Sequence, residues 1–243
     1  MDTEAQPAER DRSSRSSRPE PGSAAGEEPE GRSRSAFSAR VAEWVPGGRL
    51  TLTGLLPLLL LVLLATFVVQ PFQIPSGSME QGLRIGDRVL VNKVAYRFDG
   101  RPRRGDVVVF DGTEIFGHGD YVKRVVGVGG DRVECCGEDG RVRVNGEPVD
   151  ESAFLYPGDR PSTVRFDVTV PDGTLFVLGD HRGDSSDSRD HLGSPGGGMV
   201  PVDRVIGRAD WIVWPPGHAT RIERPDAYAR VPAPASAGKG GDG

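Results

Sequence analysis

The sequence predicts a mainly β chain, an antiparallel sheet or barrel-like domain set behind one N-terminal transmembrane helix. Three observations carry that prediction. Residues 50–69 form an apolar run of about 20 residues without a single charge. From residue 87 onward, short β-branched segments alternate with Gly, Asp and Asn turn signals. Beyond the apolar run no long stretch has a helical period, which argues for a sandwich or barrel.

Residues 1–48 hold seven arginines and nine acids among Ser, Gly and Pro, with few large apolar side chains before Phe37. Such a segment cannot bury enough apolar surface to offset the entropy of ordering, so a disordered tail is expected. Phe37, Val41, Trp44 and Val45 fall near one face of a possible short interfacial helix over 36–45. The segment 49–70 follows as the membrane anchor, since about 20 residues of helix span about 30 Å, the thickness of the hydrocarbon core. A cleaved leader would have a shorter leader sequence and apolar core, and Phe67-Val68-Val69-Gln70 is not a small-x-small cleavage site. A buried helix of a soluble domain would show a polar face, which this run lacks. Arg32, Arg34, Arg40 and Arg49 precede it, against Arg84, Arg88 and Lys93 after it, a slight bias toward a cytoplasmic N-terminus.

The domain proper is expected over 71–225, with strands at 87–93, 106–110, 121–128, 132–135, 141–144, 164–170, 175–178, 202–206 and 211–214. Residues 226–243, rich in Ala, Pro and Gly, are expected to be a flexible tail. The net charge of -5 comes without any basic block interleaved with aromatics, so nucleic acid is not an expected partner. The two cysteines, Cys135 and Cys136, are adjacent, which excludes a disulfide framework and a multi-cysteine metal site. They could form a vicinal disulfide or remain two thiols.

Chemistry concentrates around Ser78, in Ile74-Pro75-Ser76-Gly77-Ser78-Met79 just past the apolar run. A serine hydroxyl needs a base to become a nucleophile. Histidine is the usual one, and His181 or His191 could complete a triad, although Ser78 lacks the Gly-x-Ser-x-Gly elbow. Lys123 is the other option. Alternation puts Lys123 and Arg124 on opposite, mostly apolar faces of one strand, so each must reach the sheet edge, find a partner or lose its water. A buried Lys123 beside Ser78 would lose preference for its charged form and serve as a base. The polar loop 179–189 reads as a hydrogen-bonded turn with an Asp187–Arg189 ion pair; a calcium loop is the rival, but its spacing fails the EF-hand pattern.

Pro75-Ser76-Gly77-Ser78-Met79, Gly105-Asp106-Val107-Val108-Val109-Phe110, Tyr121-Val122-Lys123-Arg124-Val125 and Gly179-Asp180 through Asp187-Ser188-Arg189, in that order behind an apolar anchor, resemble type I signal peptidase. The resemblance covers roughly residues 55 to 210. It implies a membrane-bound Ser/Lys endopeptidase without cofactor or metal, N-terminus cytoplasmic and catalytic domain extracytoplasmic. Its partners would be the lipid bilayer of the cytoplasmic membrane and the signal peptides of exported preproteins. The same resemblance makes Ser78 the nucleophile, Lys123 the general base and Ser185 the residue that orients the lysine. Ser76 Oγ with the Ser78 N–H would form the oxyanion hole, and Asp187 with Arg189 would support the loop. It places Phe72, Ile74, Met79, Leu83, Tyr121 and Val122 around the substrate pockets for small residues at -1 and -3. Gln81-Gly82, Gly129-Gly130, His181 and Asp184 depart from the family pattern. Trp211 and Trp214 could dock on the bilayer or pack in the core.

Overall fold

The computed structural model describes residues 48–98 and 100–234. The tail 1–47, the helix considered at 36–45 and residues 235–243 lie outside the described residues. The chain divides into two compact units, 1–55 and 56–243. Of the first, only the start of helix α1 (Gly48–Val68, 21 residues) is described. In the second, the α1 side chains from Leu56 to Leu63 are largely solvent-facing where they are described. Among the described residues no helix is long and apolar enough to cross a membrane; side chains of α1 are described only from Thr53 on.

The helix stops two residues short of the expected segment 49–70. Val69 and Gln70 open strand β1 (Val69–Gln73) instead. Pro71 is the cause: it biases the residue before it toward extended backbone, and an edge strand tolerates its missing N–H. The strand pairs with β2 (Arg88–Asn92), Pro71 opposite Leu90.

The domain then runs through β3 (Val107–Asp111), β4 (Asp120–Val128), β5 (Arg132–Cys135), β6 (Arg143–Val144), β7 (Glu147–Pro148), β8 (Phe166–Thr169), β9 (Thr174–Leu178), β10 (Val200–Pro201), β11 (Val205–Trp214) and β12 (Thr220–Arg221). One sheet has the order β1-β2-β11-β3-β4-β9-β10, with β12 on β11; the other has the order β7-β6-β5-β8. All the pairings are antiparallel, as the alternating segments and turn signals predict. Neither sheet closes among the described residues, so the barrel-like alternative gives way to two open sheets. The expected strands at 202–206 and 211–214 merge: Val202–Arg204 is a 3-10 turn, and β11 continues unbroken from Val205 through the tryptophans. Bulges absorb the long strand's twist at Ala209/Trp211 and Ile212/Trp214.

Residues 226–234 are not loose. Tyr228, at the end of the 3-10 turn Asp226–Tyr228, and Val231 are both buried in a core with Phe154, Phe176 and Leu178. Two large apolar side chains among Ala and Pro suffice to fix the segment, which composition alone obscures. Cys135 and Cys136 are joined as a vicinal disulfide. On β11, Ile212 is buried, while Trp211 and Trp214 remain about half exposed.

Candidate active site

Ser78 sits in the 3-10 turn Gly77–Met79, between β1 and β2. Three apolar anchors hold this segment: Ile74, Met79 and Leu83 enter one core with Val89, Val91, Val107 and Ile212. Backbone bonds fix its ends, Ile74 N–H to Asp87 O (2.9 Å), Gly86 N–H to Ile74 O (2.9 Å) and Leu83 N–H to Met79 O (2.9 Å). The Ser78 carbonyl accepts the His181 N–H at 3.1 Å, tying the turn to the polar loop. Gly179 makes this close approach possible: a Cβ there would lie 2.5 Å from that carbonyl oxygen and 2.5 Å from Ser185 Cβ.

Lys123 reaches the same point from β4. Its Nζ donates to Ser78 Oγ at 2.7 Å, and the residue is 3% exposed. No carboxylate lies within ion-pair distance of the amine among the described residues. Burial disfavours the ammonium and pulls the lysine down to about 8, against partial restoration by the charges of Asp187 and Asp180. At about 8, a sizeable fraction of this amine is unprotonated near neutral pH, whereas ordinary lysine stays charged. A hydroxyl hydrogen-bonded to a dry, neutral amine can lose its proton as it attacks a carbonyl. Ser76 Oγ also donates to Ser78 Oγ, at 3.4 Å.

Arg124, one residue on and facing the other way, is 6% exposed and fully engaged. Its guanidinium donates to both carboxylate oxygens of Asp180 (2.8 and 2.6 Å) and to Gly105 O (2.9 Å), and lies 4.4 Å from the Phe154 ring centroid. Neither cation snorkels to the edge. Asp180 and Asp187 of the acidic loop spend their carboxylates on arginine. Asp187 grips Arg189 through two 2.8 Å bonds, and burial pushes its carboxyl up while the Arg189 bonds hold it below the usual range. Glu151 and Arg182 form a third buried pair, at 2.9 and 2.5 Å. Among the described residues no cluster of His, Cys, Asp and Glu is arranged to hold a metal ion.

Ser185 differs from expectation. Its hydroxyl donates to Asp187 Oδ2 at 2.8 Å, and among the described residues it makes no hydrogen bond to Lys123. No histidine meets the Ser78 hydroxyl among the described residues. His181 stacks on Tyr156 (centroids 3.8 Å apart), His191 stacks on Phe116, and His218 Nδ1 lies 2.9 Å from Asp87.

A cavity of about 230 Å³ opens beside the dyad, walled by Ile74, Met79, Tyr121 and Val122. Leu83 instead faces a second cavity behind Met79, while Phe72 packs half-buried against the core under Ile74. His118 and Asp120 also line the first cavity. Among the described residues no strand pairs with the edge of β4 beside this cavity. Residues 120–124 pair with β3, but β9 joins the other edge only from Arg124 on. An extended peptide can add a strand there and bring a carbonyl to Ser78. The Arg124–Asp180 and Arg182–Glu151 pairs were also missed. Asp180 follows Gly179 in a recognisable box, but nothing local in the sequence links Glu151 to Arg182.

The pattern of the family described as "Signal peptidase, peptidase S26" matches residues 48–214, more than half of the chain. Signal peptidase I of Mycobacterium tuberculosis is 35% identical over 236 residues, covering 74% of this chain and 78% of that protein. Signal peptidase I of Pseudomonas fluorescens is 38% identical over 202 residues, covering 65% of this chain and 70% of the other. A crystal structure of a signal peptidase I from Enterococcus faecalis aligns with TM-score 0.35 and 26% identity, over 44% of this chain and 96% of that one. The sequence matches therefore carry the assignment: the chain belongs to the type I signal peptidase family and is a serine endopeptidase.

Proposed function

We propose that this enzyme removes signal peptides from exported preproteins through a Ser78/Lys123 dyad. The observation that carries the reading is the 2.7 Å contact between a buried hydroxyl and a buried, unpaired amine. The preprotein chain lies along the open edge of β4, with small residues at -1 and -3 in the shallow cavity bounded by Ile74, Met79, Tyr121 and Val122. Ser78 Oγ attacks the scissile carbonyl as Lys123 takes its proton. The Ser78 N–H and Ser76 Oγ receive the developing oxyanion, Ser76 turning from its 3.4 Å contact with Ser78. Lys123 passes the proton to the departing amine of the mature protein. A water, deprotonated by the same lysine, then hydrolyses the ester and frees the leader.

Asp187, Arg189 and Ser185 act indirectly: their mutual bonds hold the loop whose Gly179 closes over Ser78. The apolar run 50–69 anchors the enzyme in the cytoplasmic membrane, and β1 takes up the chain at its last residue, Val69. On this reading the dyad works at the extracytoplasmic bilayer surface, where leaders emerge. The test is cleavage of a preprotein bearing an Ala-x-Ala site by purified enzyme in detergent. Ser78→Ala and Lys123→Met should each abolish cleavage with the fold retained; an active Lys123→Met enzyme would require a different base.

A further inference from the structure

Asp120 opens β4 and stands apart from the acids around it. Asp106, Asp131, Asp180, Asp187 and Glu151 each hold an arginine. Asp111, which faces Asp120 across β3 and β4, holds Arg204 at 3.0 Å. Among the described residues the exposed Asp120 carboxylate has no hydrogen bond and no ion pair. Yet it lines the cavity that contains Ser78 and Lys123.

A well-braced hairpin holds it there. Gly112 N–H donates to Gly119 O (2.9 Å), Phe116 N–H to Gly112 O (2.9 Å) and Tyr121 OH to Phe116 O (3.1 Å). The Phe116 ring packs edge-on against Phe110 and Tyr121, at centroid distances of 5.5 and 5.6 Å, and stacks on His191. His118 reaches the same cavity between Gly117 and Gly119, whose φ angles of 119° and 112° only glycine adopts readily.

Resting on the function proposed above, we infer that Asp120 selects leaders carrying a lysine or arginine five residues before the cut. Ser78 fixes residue -1 at the Lys123 end of the cavity. Asp120 lies three residues back along β4, about 10 Å away. A leader that fills the cavity therefore runs antiparallel to β4, its earlier residues approaching Asp120. Side chains of an extended chain alternate, so -1, -3 and -5 share one face, as Asp120 and Val122 do on β4. With -3 beside Val122, the next step on that face, about 7 Å along, sets -5 beside Asp120. A basic side chain there meets an anion that no described residue neutralises, and an acidic one meets repulsion. Lys123, the cation at the far end of the cavity, is engaged with Ser78. The Asp120 contact is exposed, so its attraction is modest and screened by salt.

The experiment compares kcat/KM, in detergent, for peptides that share one Ala-x-Ala site and carry Lys, Gln or Glu at -5. Wild type should prefer Lys to Glu by ~5-fold, chiefly through KM, and about 1 M salt should remove most of that preference. Asp120→Asn should bring the three rates together, and Asp120→Lys should invert their order. Each ratio is taken within one enzyme, so a general loss of activity cancels. A peptide with its Lys moved to +5 has the same net charge and should gain nothing over Gln, which separates Asp120 from the net negative charge of the chain. His118→Gln should keep the Lys preference. Equal rates for Lys and Glu in wild type, an equal gain from Lys at +5, or a preference that survives Asp120→Asn overturns this inference and leaves the proposed function standing. Cleavage of none of the peptides overturns both.

Discussion

Lys123 and Arg124 are neighbours on β4, buried to a similar degree, yet chemically opposite. Arg124 meets a carboxylate with two hydrogen bonds, a carbonyl and an aromatic face, so its charge persists without water. Among the described residues Lys123 hydrogen-bonds only a serine hydroxyl. The two faces of one strand thus separate structural charge from reactive amine. Burial sets the cost of a cation, and the presence or absence of a facing carboxylate decides whether it keeps its proton.

The contrast can be broken from either side. Lys123→Met should lower kcat/KM by ~10⁴-fold or more, since the residues of such a unit fail together; steady-state cleavage of a preprotein measures it. Arg124→Met leaves Asp180 a buried, unpaired anion and should destabilise the fold by ~3–5 kcal/mol in denaturant titrations. A double change, Arg124→Met with Asp180→Leu, should recover much of that loss.

Lys123→Met should do the reverse of Arg124→Met at neutral pH and stabilise the protein. The folded amine titrates at about 8 and the unfolded one at 10.5, so the folded state resists protonation. The penalty is full below pH 8, fades between the two values and is absent above 10.5. At about 1.4 kcal/mol per unit it is at most roughly 3 kcal/mol at pH 7, so the variant's advantage should shrink as chemical denaturation is repeated at rising pH. Asp184→Asn makes the smallest change. Asp184 is exposed and raises the lysine only weakly, so its removal should move the activity limb slightly toward acid. A shift toward base would contradict the assigned sign.

Much of this was legible in the residues. Segments 87–93, 106–110 and 132–135 announced β2, β3 and β5 because β-branched runs there end in strong turn signals. Edge strand β1 was hidden, since the apolar run that predicts a helix continues into it without a change in polarity. The dyad could be posed from alternation but not decided, because Lys123 and Ser78 stand 45 positions apart in sequence and meet only in the fold. The Glu151–Arg182 pair and the packing of Tyr228 are long-range facts of the same kind. Ser185 shows the limit of analogy: its hydroxyl bonds Asp187, a partner that the resemblance does not name for it.

The pH dependence of kcat/KM for preprotein cleavage tests the central claim most directly. Activity should rise as the amine sheds its proton, through an apparent value near 8. A rise near the 10.5 of ordinary lysine, or a profile unchanged in Lys123→Met, would contradict the account.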